Sequence, residues 1–207
     1  MSGEYTSGME ISEVKSLYYD QRLSVREIAE KLGVSIDAIY GFMRRHHLSR
    51  RTNAQQNAVR FEKKRPSFCI RKKLTILEER LKIAGIMLYW GEGFQSEKAH
   101  NIDFANCKPR MIRVFLNFLR IICSVDERKL RIYLYAYSNQ DIQSIIEFWS
   151  KFTGIPKSQF SKPYIRHDFK VEQSGKMKYG LIHVRYYDKK LLQLIKQWIE
   201  EYAENCV

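Results

Sequence analysis

The sequence predicts an α+β protein in three parts: a small unit of three helices over 1–48, a basic linker over 49–76, and a larger mixed domain over 77–207. Three observations carry this. Residues 24–48 join a helix-capping pattern to two apolar runs at helical spacing, with a glycine between them. Residues 44–73 hold a net charge of +10 and no sustained apolar period. From 77 onward, helical apolar stripes alternate with stretches in which every second residue is apolar, 130–137 being the clearest.

Thirty-six Lys and Arg against 23 Asp and Glu give a formal net charge of +13, while 44% of the 207 residues are hydrophobic. A chain this apolar can bury a core, so it does not read as a disordered basic tail. A large positive charge on a folded chain points to polyanions, nucleic acid first. No stretch approaches the ~18 uncharged apolar residues that span a bilayer, and the basic run lacks an amphipathic apolar face, so no membrane partner is expected. The opening MSGEYTSGMEISEVK has acidic residues and no apolar run, so no secretory signal is expected either. Cys69, Cys107, Cys123 and Cys206 form no CxxC and have no histidine at zinc-finger spacing. They read as reduced thiols of a cytoplasmic, nucleoid-associated protein. HExxH, GxSxG, GxGxxG and the P-loop motif are absent, which argues against the corresponding chemistries.

The N-terminal unit is justified residue by residue. Ser24 and Glu27 make an S-x-x-E capping box that starts one helix, with Ile28, Ala29 and Leu32 as its apolar stripe. Gly33 suits the left-handed turn that ends it. Ser35 caps a second helix with Ile36, Ile39 and Phe42 inward, and a helix over about 11–19 completes the unit. A small residue at Ala29, glycine four positions later and an aliphatic at Ile39 match the helix-turn-helix spacing. The segment resembles the helix-turn-helix of resolvases and related site-specific DNA-binding proteins. That resemblance implies that Ser35, Asp37, Tyr40, Gly41 and Arg44 face a major groove. The cations that follow, Arg45, Arg50, Arg51, Lys63, Lys64 and Arg65 among them, read as an arm lying along phosphates or in a minor groove. The plainer reading is a solvated tether.

The larger domain opens on residues 81–93, LKIAGIMLYWGEG, helical in pattern up to Gly91 and ending Glu92-Gly93. A strand is expected over 94–98, a second over 101–106, and Pro109 opens an amphipathic helix. This order resembles the LAGLIDADG homing-endonuclease family, whose motif helix packs on its pseudo-twofold mate through small residues. The resemblance implies a LAGLIDADG-like mixed α/β-saddle domain. It implies that Ala84, Gly85, Gly91 and Gly93 permit close helix packing, and that Glu92 is the catalytic acid binding Mg²⁺ or Mn²⁺ at a scissile phosphate. Aligned backwards from Gly93, Met87 stands where the family has glycine and Trp90 where it usually has aspartate.

The remaining elements follow from periodicity. In 130–137, Arg131, Tyr133, Tyr135 and Tyr137 form one face and Leu130, Ile132, Leu134 and Ala136 the other. Residues 179–187 place His183 and Arg185 outward, and 160–168 place Lys162, Tyr164 and Arg166 on one face. Basic and aromatic side chains on a shared sheet face suit a nucleic-acid saddle, and equally an ordinary solvated face. Ser138 and Asp141 read as a capping box before a helix with Ile142, Ile145 and Trp149, and 189–203 reads as the last helix. Gln95 and Lys98 are candidate supporting groups.

One acid per chain implies a homodimer on a roughly palindromic double-stranded DNA target. The function that follows is a site-specific, metal-dependent homing-type endonuclease. A non-catalytic transcription regulator with a degenerate LAGLIDADG-like domain is the alternative, and an RNA-binding accessory protein a third reading.

Overall fold

A computed structural model of the chain describes residues 9–167 and 177–205. The chain divides into two compact units, Met1–Arg65 and Pro66–Val207. The described residues hold eight α-helices and four strands, a mixed α+β architecture. None of these helices is long and apolar enough to cross a membrane.

In the first unit, α1 (Ile11–Lys15) runs straight into a wide π-helical turn, Ser16–Asp20, followed by α2 (Val25–Leu32), α3 (Ile36–Arg45) and α4 (Asn53–Lys63). The capping box of α2 forms in full: Glu27 N–H donates to Ser24 Oγ at 3.2 Å, and Ser24 N–H to the Glu27 carboxylate at 2.6 Å. Those bonds, with Lys63 nearby, hold the Glu27 carboxyl below the usual range. Gly33 ends α2 at φ 67°, a left-handed conformation that costs glycine nothing. The turn then closes as Val34 N–H donates to Ala29 O at 3.0 Å. Ser35 Oγ caps α3 by accepting from Ala38 N–H at 3.1 Å. Val14, Leu17, Tyr18, Ile28, Ala29, Ile39, Phe42 and Met43 form the buried core. Ile36, expected inward, is instead exposed, because the first residue of α3 projects past the core and Met43 fills the inner side one turn beyond Ile39.

The stretch read as a basic linker over 49–76 is not unstructured. Thr52 and Gln55 form a second complete capping box, which starts α4 without any apolar stripe. After Pro66 the chain belongs to the second unit, where Phe68, Ile70 and Leu74 pack on the core. The backbone there is paired: Cys69 N–H donates to Cys123 O and Arg71 N–H to Ile122 O, both at 3.0 Å.

The second unit contains α5 (Ile76–Glu92), β1 (Ile102–Asn106), α6 (Pro109–Asn117) with a π-helical turn Phe118–Ile122, β2 (Leu130–Tyr137), α7 (Ile142–Thr153), β3 (Tyr164–Arg166), β4 (Leu181–Tyr186) and α8 (Lys189–Asn205). Its sheet has the order β1-β4-β2-β3, antiparallel except for the β2·β3 pair. The inner face of Ile102, Phe104, Ile132, Leu134, Ile182 and Val184 shares one core with Ile86, Tyr89, Phe115, Phe118, Trp149 and Ile195 of the helices. The outer face carries the other register set. Buried Asp188 ties the entry of this unit to its last helix. Its carboxylate accepts from Ser67 N–H and Oγ at 2.8 and 2.7 Å, and from the N–H groups of Lys190 and Leu191 at the start of α8.

Several expected boundaries move. α5 begins at Ile76, five residues before 81, because Thr75 and Glu78 cap it. Residues 94–98 form no strand: Gly93 alone bridges Phe104, and the chain then turns, Ala99 N–H donating to Ser96 O at 3.0 Å. α7 is capped by Asp141 alone, whose carboxylate accepts from Ser144 N–H at 3.1 Å, while Ser138 N–H serves Arg166 O. β3 is only Tyr164–Arg166, so Lys162 precedes it in an irregular segment. Asp168 and Cys206 lie outside the described residues.

Gly85 is buried on the side of α5 that faces Phe118, and a Cβ there would lie 2.1 Å from Phe118 Cγ. Its missing side chain therefore serves packing within the chain. Gly91 sits on the open side with nothing within 4 Å of a built Cβ. Gly85→Ala is expected to lower the stability of the second unit by about 1–3 kcal/mol through overpacking. Gly91→Ala is expected to be neutral or to add up to about 1 kcal/mol by helix propensity. Urea denaturation of the two variants against the parent chain checks the contrast.

Candidate nucleic-acid interface

Two surfaces gather the residues singled out by sequence. The first is the outer side of α3. Ser35, Asp37 and Arg44 are exposed there, and Tyr40 and Gly41 half-buried, as a helix packed through Ile39, Phe42 and Met43 requires. Arg50 lies over the Tyr40 ring at 4.3 Å, which places a guanidinium beside that side of the helix. Arg45, Lys64 and Arg65 are exposed. Arg51 is different from its neighbours. It stacks on Tyr18 at 4.1 Å, and its guanidinium donates to the carbonyls of Tyr18 and Leu23 and to Gln56 Oε1, while its N–H donates to Tyr18 Oη at 2.8 Å. Arg51 thus clamps the 49–52 segment to the first core. Lys63 pairs with Glu27 at 3.5 Å.

The second surface is the open face of the sheet. The register aligns Asp103 with Arg185 and Arg185 with Arg131, and Ala105 with His183 and His183 with Tyr133. Tyr135 stands against Leu181 on one side and Tyr164 on the other. Sequence reasoning put Arg185 and His183 here but missed the group between them. Asp103 is 8% exposed, and its two carboxylate oxygens take His183 Nδ1 and Arg185 Nε, each at 2.7 Å. Burial works to raise the Asp103 pKa, but the hydrogen bonds and charges of His183 and Arg185 win and hold it below the usual carboxylate value. Arg185 also stacks on Tyr133 at 4.1 Å, and the Tyr133 and Tyr187 hydroxyls share a 3.0 Å hydrogen bond. Tyr164, Tyr135 and His183 continue as a line of rings at 5.2 and 4.8 Å. Arg131 turns back onto the carbonyls of Arg128 and Leu130, both at 2.7 Å, and Arg166 lies over Tyr137 at 5.3 Å. The signal for Asp103 was present in the sequence: a carboxylate between two large apolar residues of a strand, in IDFAN, needs a partner.

Glu92 ends α5, exposed, with Trp90 exposed before it and Phe94 after. Gly93 is extended and bridges Phe104, and a Cβ at Gly93 would lie 2.4 Å from Tyr89 O, so the chain leaves the helix through a space only glycine fits. Tyr89 Oη donates to Phe94 O at 3.0 Å, and burial pushes this phenol up to about 12. Gln95 Nε2 donates to Trp90 O at 2.6 Å, so its amide closes the helix end rather than standing open. Lys98 is exposed in the turn that follows. Among the described residues, no three His, Cys, Asp or Glu side chains converge as a metal site would need. The chain matches no family model, no curated protein and no solved structure.

The Asp103 cluster makes a pH-dependent contribution to stability. Its folded pKa is depressed, so its stabilisation is complete above the ~3.9 of a free aspartate and is lost as pH falls through the folded value. Asp103→Asn is expected to cost about 1–3 kcal/mol at neutral pH, the range for a buried hydrogen-bonding group left unmatched. The gap between parent and variant should close on acidification. Thermal melts of both proteins across a pH series check it.

Proposed function

We propose that the chain is a sequence-specific double-stranded DNA-binding protein that acts as a homodimer, its first unit a helix-turn-helix and its second a LAGLIDADG-like domain. The observation that carries this reading is the α2–Gly33–α3 pair. It leaves Ser35, Asp37, Tyr40, Gly41 and Arg44 on the side of α3 turned away from its core, with Arg50 stacked beside them. A helix presented in this way, flanked by cations, suits a major groove about 12 Å wide.

The homodimer is supported by the open side of α5. Ile76, Ile83 and Trp90, spaced seven apart, are 76, 41 and 44% exposed, with Ala84, half-buried Met87 and Gly91 on the same side. Three large apolar side chains in one helical line form the kind of stripe that a second copy covers.

Two versions of the reading differ at Glu92. In the endonuclease version, Glu92 of two copies would hold Mg²⁺ or Mn²⁺ at the scissile phosphate. One exposed carboxylate per chain is what that version asks of a homodimer, so the donor count does not separate the two. The stripe is bulky, so two α5 helices would pack at ordinary spacing, about 8–10 Å between axes, rather than at glycine-mediated contact. That spacing favours the regulator version, in which the second unit contributes dimerisation and DNA contacts without cleavage.

Selection of bound sites from a random duplex pool is expected to return a pseudo-palindromic sequence. Structured RNA at matched salt should bind more weakly. Incubating the selected duplex with Mg²⁺ or Mn²⁺ separates the versions: cuts abolished by Glu92→Gln with binding intact assign the endonuclease, and an uncut duplex assigns the regulator. Failure to enrich any sequence overturns the proposal. Ile83→Asp is expected to shift the protein to monomer in sedimentation equilibrium while leaving its circular dichroism unchanged.

A further inference from the structure

Within the first unit, between α4 and the outer sides of α2 and α3, lies a cleft of about 620 Å³. Seven arginines and lysines line it, Arg22, Arg60 and Lys63 among them, against the single carboxylate of Glu27. Ile36 and Tyr40 of α3 form part of the same wall. The cleft therefore adjoins the side of α3 assigned to the major groove.

No residue of α4 is fully buried. Polar contacts help to fasten this wall. Arg22 pairs with Glu62, Lys63 pairs with Glu27 at 3.5 Å, and Arg51 donates to Gln56 at 3.3 Å. The four side chains of the two ion pairs are 41–57% exposed, which makes these contacts weak and open to screening and exchange. Seven like charges around one cleft also repel each other, and three glutamates, Glu27, Glu30 and Glu62, relieve that only in part.

We propose that this cleft seats the phosphodiester backbone of duplex DNA. In the free protein Glu62 and Glu27 occupy Arg22 and Lys63; on binding, phosphate oxygens take their places. A duplex carries one negative charge per ~1.7 Å of helix axis, enough to meet the whole cluster where the glutamates meet part of it. The inference rests on the DNA-binding reading and adds to it a defined seat and an internal competitor. It makes Glu62 a residue that weakens binding, although it lies in the most basic part of the chain.

Glu62 and Arg22 give opposite expectations, which separates competition from structural damage. Either Glu62→Gln or Arg22→Gln breaks the same ion pair. A purely structural role would move affinity in the same direction for both. Full-length protein is titrated into a short labelled mixed-sequence duplex across a salt series, by fluorescence anisotropy. Glu62→Gln is expected to bind about two- to fivefold more tightly at low salt, the scale of one solvent-exposed ion pair. Arg22→Gln is expected to bind more weakly, with the slope of log Kd against log salt reduced by about one. If the parent chain binds duplex but Glu62→Gln is unchanged or weaker, the seat is wrong and the DNA-binding reading stands. If the parent chain binds no duplex at any salt, both fall.

Discussion

The close approach of α5 to Phe118 is the contact on which the second unit depends. Gly85 leaves no room for even a methyl group at that crossing. The helix can then lie low enough for Ile86 and Tyr89 to enter the core with Phe104 and Phe115, whose rings stack at 4.2 Å. Because α5 is fixed in height, its end is fixed as well. Gly93 emerges where it can bridge Phe104, and Phe94 N–H reaches Asp103 O at 2.9 Å. The position of Glu92 is thus set by backbone and packing, not by a network around its own carboxylate. That arrangement leaves the carboxylate open, and it explains why Gly85, Gly91 and Gly93 play three unrelated parts.

The first unit is built differently at its periphery. Its core is compact, but the segment after α3 is held by directional polar contacts: Arg51 on Tyr18 and two carbonyls, Tyr19 Oη on Ser49 O at 2.7 Å, and the ion pairs of α4. Hydrogen bonds to buried carbonyls survive salt, whereas exposed ion pairs do not. The two kinds of contact sit in series along 49–63, so the clamp at Arg51 marks the boundary between a fixed part of the unit and a part that ions can loosen.

Elements whose start or stop depends on a local chemical device were readable from sequence. Ser24 with Glu27, the left-handed Gly33, the Ser35 cap and the alternation in 130–137 all correspond to what the chain does. α4 shows the limit. Its Thr52-x-x-Gln55 box is the same kind of signal as Ser24-x-x-Glu27, but the charge around it and the lack of an apolar stripe pointed to a linker. Residues 94–98 form no strand because the chain makes one bridge to β1 at Gly93 and then turns, closed by Ala99 N–H on Ser96 O. Which way Gly85 faces depends on the angle at which α6 crosses α5, and that is set by Phe118, 33 residues away in sequence and outside any local pattern. The partners of Asp103 were not readable for a related reason, since they arrive from β4, 80 and 82 residues later.

The same long-range pairing changes how the net charge should be apportioned. Counted from sequence, the open sheet face offers Arg131, Arg166, His183 and Arg185. In the folded unit Arg185 is neutralised by Asp103, Arg131 is turned onto backbone carbonyls, and Arg166 lies on an aromatic ring. What the face chiefly presents is hydroxyls and ring edges of Tyr133, Tyr135, Tyr164 and Tyr187, with Arg185 against Tyr133 and His183 against Tyr135 fixed by the buried Asp103 carboxylate. Such a surface adds little counterion-release energy and much geometric constraint. The exposed cations are concentrated in and just after the first unit instead. On the DNA-binding reading this assigns non-specific, salt-dependent affinity to the first unit and its arm. The sheet face is left to contribute through fixed hydrogen-bonding and stacking groups, whose value depends on fit and not on charge.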